Sequence, residues 1–116
     1  MVWKKYLGDL GEAAALKHLE SLGFKILEQN FRCRFGEIDL IAKEKNVFSF
    51  IEVKTITKGS TESPVDTITP TKIKHIQRCA ELYLANVKEE YDCRFDVVAI
   101  ECNGGKFDIE LIRDAF

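Results

Sequence analysis

Two segments, residues 36–42 and 48–55, place acidic side chains among apolar residues at the spacing of β-strands. Side chains alternate between the two faces of a strand, so Glu52 and Lys54 share a face of the second segment. Asp39 occupies the middle of the first segment. Two carboxylates and an ammonium group on one strand surface are energetically costly for a purely structural hairpin, which favours a functional site.

The four residues Lys43-Glu44-Lys45-Asn46 link these strands into a hairpin. If Lys45-Asn46 is the two-residue turn, Asp39 lies directly opposite Glu52, with β-carbons about 5 Å apart. Two such carboxylates can hold Mg²⁺ or Mn²⁺, and Lys54 can position water or neutralise charge on a phosphate. The alternative is a salt bridge between Lys54 and Asp39 on an otherwise structural hairpin.

Glu12 is a further candidate because it borders the apolar face of the first predicted helix. It has no cation three or four residues away in the helix. Its carboxylate either points toward the sheet, where a cation or a lysine would offset the cost of burial, or lies exposed at the edge of the stripe. Helical spacing leaves both interpretations open.

Other polar residues carry weaker signals. Glu37 can orient water near Asp39 or can be a charge on the rim of the site. Lys72, Lys74 and Arg78 lie off the apolar stripe of the second predicted helix, and they can contact phosphates or form a solvated helix face. We interpret two histidines as structural or surface residues, His18 and His75.

The bulk composition is typical of a globular protein of one domain, residues 1–116, with 46% hydrophobic and 31% charged residues. The longest apolar runs have four residues, whereas a membrane span needs about 20, so we expect no membrane association. The chain starts without a signal-peptide pattern, which favours a cytoplasmic protein. The four cysteines show no zinc-site spacing, and we expect free thiols rather than disulfides, at positions 33, 79, 93 and 102.

The net charge of −2 does not indicate nucleic-acid binding by itself. Residues 54–85 hold five basic and three acidic side chains, while residues 86–116 hold four basic and eight acidic ones. An acidic pocket beside modestly basic elements suits a metal site acting on a phosphate polymer, and scattered solvated charges explain the same distribution.

Periodicity and turn signals predict seven elements in the order αβββαββ. Leu7, Leu10 and Ala14, with the small residues beside them, form the predicted core face of the first helix. Gly23 stands where a left-handed C-terminal cap of the first helix would. The second helix starts with Thr69 as N-cap and Pro70 as first residue. The predicted ranges are a helix over 4–22, strands over 24–31, 36–42 and 48–55, a helix from 70, and strands over 94–102 and 106–112.

The combined motifs resemble the PD-(D/E)XK nuclease signature and the YraN-like family of predicted bacterial endonucleases. The likeness covers roughly residues 4 to 102 of this chain. Its motifs are Gly36-Glu37-Ile38-Asp39-Leu40-Ile41, Phe50-Ile51-Glu52-Val53-Lys54-Thr55, Leu7-Gly8-Asp9-Leu10-Gly11-Glu12-Ala13-Ala14, Asn30-Phe31-Arg32, Ser63-Pro64-Val65, Ile68-Thr69-Pro70 and Arg94-Phe95-Asp96-Val97-Val98.

The resemblance implies an α/β restriction-endonuclease-like core, a mixed central sheet flanked by helices. It is also similar to archaeal Holliday-junction resolvases, in which a helix-borne glutamate joins an aspartate, a glutamate and a lysine. By that likeness Glu12, Asp39 and Glu52 would ligate Mg²⁺ or Mn²⁺, and Lys54 would be the catalytic lysine. Many relatives carry a basic residue where Ile56 stands here, and Lys58 is the nearby cation that would contact substrate in its place.

Two functions follow as expectations. The first is a Mg²⁺-dependent endonuclease that hydrolyses phosphodiester bonds in structured or branched DNA, with a homodimer presenting two sites to two strands. The second is a non-catalytic nucleic-acid-binding or accessory protein that retains the nuclease fold. A protein-docking role for the acidic hairpin is a third interpretation. The sequence does not decide between DNA and RNA.

Overall fold

The computed structural model describes the backbone of residues 2–57, 59, 61 and 63–116, and the side chains of residues 8–56, 59, 61 and 63–116. The predicted order αβββαββ is confirmed. None of the described helices is both long and apolar enough to cross a membrane. The elements are α1 (Val2–Ser21), β1 (Lys25–Cys33), β2 (Gly36–Glu44), β3 (Val47–Thr57), α2 (Pro70–Leu84), β4 (Asp92–Asn103) and β5 (Lys106–Ile112), with a 3-10 turn at Val65–Thr67 before α2.

The five strands form one sheet in the order β1-β2-β3-β4-β5. All neighbours pair antiparallel except β3 and β4, which are parallel. Parallel neighbours need a crossover connection, and α2 lies in the segment that supplies it. The result is a mixed sheet with two helices, an α/β fold consistent with the expected restriction-endonuclease-like core.

The helices belong to separate hydrophobic clusters. Ala15 and Leu19 of α1 pack in a cluster with Ile51 of β3, whereas Ile76 of α2 packs in a cluster with Phe50. Adjacent residues of a strand point to opposite faces, so Phe50 and Ile51 place the two clusters on opposite faces of the sheet. Strand β3 therefore lies at the centre of the fold, between both helices.

The core face of α1 differs from the predicted one. Gly11, Ala15 and Leu19 are buried, while Leu10, which was predicted to face the core, is 41% exposed. Gly11 and Ala15 were part of the predicted face, and a Cβ at Gly11 would lie 3.5 Å from Ile100 Cδ1, an ordinary contact distance. The prediction is wrong for Leu10, which lies at the solvent edge of the helix.

Both helices have the caps that the sequence predicts. Gly23 adopts a left-handed backbone (φ 95°), and its N–H donates to the Glu20 carbonyl while Phe24 N–H donates to Leu19, the pattern of a Schellman cap. At the start of α2, Thr69 Oγ1 accepts a hydrogen bond from the Lys72 N–H at 3.2 Å.

The expectation of four free thiols is wrong for two of them. Cys33, the last residue of β1, and Cys79 of α2 form a disulfide, with Cα atoms 6.2 Å apart. Cys93 and Cys102 are free. The bond links the crossover helix to the end of the β1–β2 hairpin across 46 residues. Such pairing arises from tertiary proximity and leaves no mark in cysteine spacing.

A buried polar network joins β2, β3, β4 and the segment that follows β5. Asp96 is fully buried and accepts hydrogen bonds from Ser49 Oγ, from Arg94 Nε at 2.8 Å and from the Asp114 N–H at 2.8 Å. Glu44 accepts from Arg94 in turn, at 2.9 Å. Because the Asp96 carboxylate is well supplied with donors, we interpret this network as structural.

Candidate active site at the junction of β2 and β3

The β2–β3 hairpin brings the predicted acidic residues together. Glu44 pairs with Val47, which confirms Lys45-Asn46 as the two-residue turn, and the register runs back to the pair Leu40 and Ile51. One further step in this register places Asp39 across from Glu52, as the hairpin arithmetic predicted. Both carboxylates therefore lie where β2 and β3 begin to separate.

The Asp39 carboxylate bridges the separating strands. Its Oδ2 accepts a hydrogen bond from the Val53 N–H at 2.8 Å, which satisfies a backbone donor of β3. Burial and the negative charge of Glu52 raise the pKa of Asp39 to about 6, although the Val53 hydrogen bond opposes that shift. The two carboxylates thus lie close enough to repel each other, which a bound cation would relieve.

Glu52 is the most unusual group of the site because its side chain is only 3% exposed. Its Oε1 accepts a hydrogen bond from Lys72 Nζ. Within the part of the chain that the structure describes, its Oε2 is buried and has no hydrogen-bond partner. An unsatisfied buried carboxylate oxygen is costly, so this atom is suited to a ligand.

Two lysines approach the same carboxylate. Lys54 Nζ lies 3.9 Å from Glu52 Oε1. Lys54 therefore pairs with Glu52 on its own strand and does not form the alternative salt bridge to Asp39. The prediction that Lys72 faces outward is wrong, because its ammonium reaches across from α2 to Glu52. Burial disfavours the charged form of Lys72, but the hydrogen bond to Glu52 and its charge outweigh burial and raise the pKa of this lysine.

Glu12 reaches the same region from α1. It is exposed, so the interpretation of a buried carboxylate that points toward the sheet is wrong, and it lines a small cleft together with Asp39 and Asn30. The cleft holds about 10 Å³, comparable to the space of a single water molecule or ion. Exposure at the mouth of a cleft keeps Glu12 within the site without the cost of burial.

Asn30 belongs to the site, although it was not among the predicted site residues. It lies between the ladder pairs Gln29–Leu40 and Phe31–Ile38, hence across from Asp39, and its backbone has a φ of 52°. Asparagine tolerates this left-handed conformation better than most residues, and such strain concentrates at functional sites. The only signal in the sequence was its place in the motif Asn30-Phe31-Arg32.

The remaining candidates lie outside the centre of the site. Glu37 is on the rim, 3.8 Å from Arg32 Nε. Lys74 and Arg78 are exposed on α2 and form no ion pair with Asp39 or Glu52. Lys58 lies outside the described residues.

The donor set partly fits a divalent cation. Glu52 Oε2 is available and Asp39 is close to it, and carboxylate oxygens are the ligands that Mg²⁺ prefers. No three Asp, Glu, His or Cys side chains among the described residues converge to hold a metal ion. Asp39 and Glu52 would thus be the protein ligands, since Mg²⁺ commonly binds one or two carboxylates and several waters. The three-carboxylate set with Glu12 stays a prediction.

Comparison with known proteins assigns the chain to a family. A sequence model described as "Uncharacterised protein family UPF0102" matches residues 11–100. A UPF0102 protein of Caldicellulosiruptor saccharolyticus is 43% identical over 97% of this chain and 98% of its own length. UPF0102 proteins of Chlorobium chlorochromatii and Syntrophus aciditrophicus are 42% and 43% identical, over 95% and 94% of this chain and 90% and 87% of their own. The expected YraN-like assignment is thereby confirmed: the chain belongs to the UPF0102 family.

Proposed function

We propose that this protein is a metal-dependent endonuclease that hydrolyses phosphodiester bonds in structured or branched DNA. The observation that carries the proposal is Glu52 Oε2, which is buried and has no hydrogen-bond partner among the described residues, in a carboxylate held beside Asp39 and two lysines. A purely structural ion pair would satisfy both carboxylate oxygens, whereas a cation site needs one of them free.

In this proposal, Asp39 and Glu52 hold Mg²⁺ or Mn²⁺, which when bound polarises the phosphate and acidifies a water. Lys54, one quarter exposed at the edge of the site, neutralises negative charge that develops on the phosphate oxygens. Lys72 holds Glu52 in place and balances its charge. Asn30 and Glu12 border the cleft through which water reaches Asp39.

The test is cleavage of labelled single-strand, duplex, flap and four-way-junction DNA with Mg²⁺, Mn²⁺ or EDTA. Asp39→Asn and Lys54→Met should each lower metal-dependent cutting by at least about a hundredfold, as expected for groups that act in the transition state. Asp108→Asn and Lys106→Met, both at exposed positions of β5, are the matched controls and should cut like the wild type. Cutting that survives both site variants would contradict the proposal.

An accessory role without cleavage is the second candidate. The ion pair from Lys72 to Glu52 favours it, because an ammonium already neutralises one carboxylate of the site. In that case wild type and Lys54→Met bind DNA equally, and neither cuts any of the substrates. A homodimer that presents two sites to two strands is part of the first proposal, and sedimentation with and without a four-way junction measures it.

A further inference from the structure

Two neighbouring grooves lie beside the candidate site, between α2 and the β1–β2 turn. The outer groove, of about 450 Å³, is lined by Arg34, Phe35, Arg78, Glu81 and Leu82. The inner groove, of about 290 Å³, shares two of these residues, Phe35 and Arg78, and adds Thr71, Lys74 and His75. We call these two grooves together the α2 groove.

The cations of the α2 groove are arranged around one aromatic ring. The guanidinium carbon of Arg34 lies 4.9 Å from the centre of the Phe35 ring, and that of Arg78 lies 5.3 Å from it. Such stacking orients a guanidinium while its N–H groups stay available to acceptors. Arg34, Lys74 and Arg78 are exposed, and among the described residues none of them has a carboxylate within ion-pair distance. The groove therefore presents three positive charges without anionic partners, against the single carboxylate of Glu81.

Two further grooves of the described surface have the opposite charge. One of about 420 Å³ is lined by Glu89, Glu90 and Asp92, with Asn46 and Tyr91. Another of about 110 Å³ contains Glu101, Asp108 and Glu110. Other exposed lysines without an ion-pair partner among the described residues lie on separate segments, for example Lys17, Lys88 and Lys106, whereas the α2 groove groups three cations around one ring. A polyanion is attracted to that groove and repelled from the other grooves.

The α2 groove lies near the candidate site along α2 and β2. Lys72, whose ammonium contacts Glu52, lies one helical turn before His75, and a Cβ at Gly36 would lie 3.5 Å from His75 Cβ. Gly36 precedes Asp39 by three residues of β2, a distance of about 10 Å. That distance equals the rise of about three base pairs of DNA. A strand bound in the groove can therefore reach the carboxylates within a few nucleotides.

We infer that the α2 groove binds the phosphate backbone of a DNA strand and leads it into the site at Asp39 and Glu52. The inference rests on the proposed function for the identity of the site, and it adds the surface that holds the substrate. Phosphate oxygens receive hydrogen bonds from the Arg34 and Arg78 guanidinium groups, and Lys74 contributes a further positive charge. Because these contacts go to the backbone, the groove binds DNA without reading its sequence.

The experiment measures binding in EDTA, so that no cutting is involved. Fluorescence anisotropy of a short fluorescein-labelled DNA strand is followed over a range of salt concentrations for the wild type and for Lys74→Gln/Arg78→Gln. We expect the double variant to bind roughly tenfold more weakly at low salt, and its slope of log affinity against log salt to be smaller by about two. Phe35→Leu, which keeps an apolar side chain but removes the ring, should weaken binding by about two- to fivefold.

The control is Lys88→Gln/Lys106→Gln, which removes the same charge from exposed positions away from the groove. If the control weakens binding as much as Lys74→Gln/Arg78→Gln does, net charge rather than the groove binds DNA and the inference is wrong. Wild-type affinity in the groove variant, or binding to RNA of the same sequence with none to DNA, would also overturn it. Circular dichroism and thermal unfolding verify that each variant is folded.

The two proposals fail in different ways. If the wild type binds DNA through the groove in EDTA but cuts no substrate with Mg²⁺ or Mn²⁺, the nuclease proposal fails and the groove stands. If the wild type cuts DNA and the groove variants bind and cut equally well, the groove inference fails and the nuclease proposal stands.

Discussion

The Lys72 ammonium donates a hydrogen bond to Glu52 Oε1, which joins the crossover helix α2 to the central strand β3 at the candidate site. The other carboxylate oxygen of Glu52 is buried without a partner in the described part of the chain. A cation that binds this carboxylate therefore shares it with a positive charge. Lys72 both stabilises Glu52 without metal and opposes metal binding.

Lys72→Met should separate these two effects. Without metal the variant loses about 1–3 kcal/mol of stability, because a buried carboxylate is left without its partner. With Mg²⁺ it should gain more thermal stability than the wild type does, since the competing charge is gone. Thermal unfolding with EDTA and with Mg²⁺ measures both, and Lys74→Met is the matched control. An equal or smaller gain with Mg²⁺ would show that the metal does not bind Glu52.

The pH dependence of stability should carry the signature of Asp39. Burial and the charge of Glu52 raise its pKa from 3.8 to about 6, so the folded protein holds this proton more tightly than the unfolded chain does. The contribution of Asp39 to the free energy of unfolding is complete below about pH 4 and is lost as the pH rises through about 6. The loss is at most about 3 kcal/mol.

Urea unfolding in EDTA between about pH 4 and pH 8 measures this loss, and Asp39→Asn should remove it and be more stable than the wild type at neutral pH. Asp108→Asn, on an exposed position of β5, should keep the wild-type profile. A wild-type profile for Asp39→Asn would mean that the carboxylate is not buried as described.

The disulfide between Cys33 and Cys79 should contribute to stability. It closes a loop of 46 residues, for which the loss of chain entropy in the unfolded state corresponds to about 2–4 kcal/mol. Cys33→Ser/Cys79→Ser should lower the midpoint of unfolding, and a reducing agent should have no further effect on that variant. Cys93→Ser, at an exposed free thiol, is the control. Four titratable thiols in the native, unreduced protein would contradict the bond.

Gly11→Ala should be tolerated or stabilising. The added Cβ would lie 3.5 Å from Ile100, an ordinary contact, and alanine favours a helix by about 1 kcal/mol over glycine. Gly8→Ala, with open space around the added atom, measures the difference in helix propensity alone. Gly23→Ala should destabilise the protein, because φ is 95° there. Chemical denaturation of the three variants gives the comparison, and a loss above about 1 kcal/mol for Gly11→Ala would mean tighter packing than described.

Patterns local in the sequence predicted most of the fold. The alternation of Asp39 and Glu52 along their strands, with a two-residue turn between them, was sufficient to place one across from the other, because hairpin register follows from loop length. Thr69-Pro70 and Gly23 marked helix ends for equally local reasons. The element order needed only these signals.

Features that depend on how elements dock could not be read in the same way. Lys72 lies off the apolar stripe of α2, and only the docking of that helix beside β3 turns its long side chain to Glu52. Leu10 was assigned to the core because the apolar stripe of α1 is broad, and only the docking of α1 on the sheet shows that Leu10 lies outside the buried part of that stripe. The partners Cys33 and Cys79 meet through the same tertiary geometry.

The parallel pairing of β3 with β4 affects when the sheet can form during synthesis on the ribosome. The ladder joins Val47 to Asp92 at one end and Thr57 to Cys102 at the other, so β3 acquires this neighbour only after residues 92–102 have been made. The ribosome adds Asp39, Glu52 and Lys54 long before that moment. It adds Lys72 later, but still before β4. A nascent or truncated chain therefore holds every acidic residue of the site but not the sheet that orders them. In the proposed nuclease, activity would begin only after β4 has been made and has paired with β3.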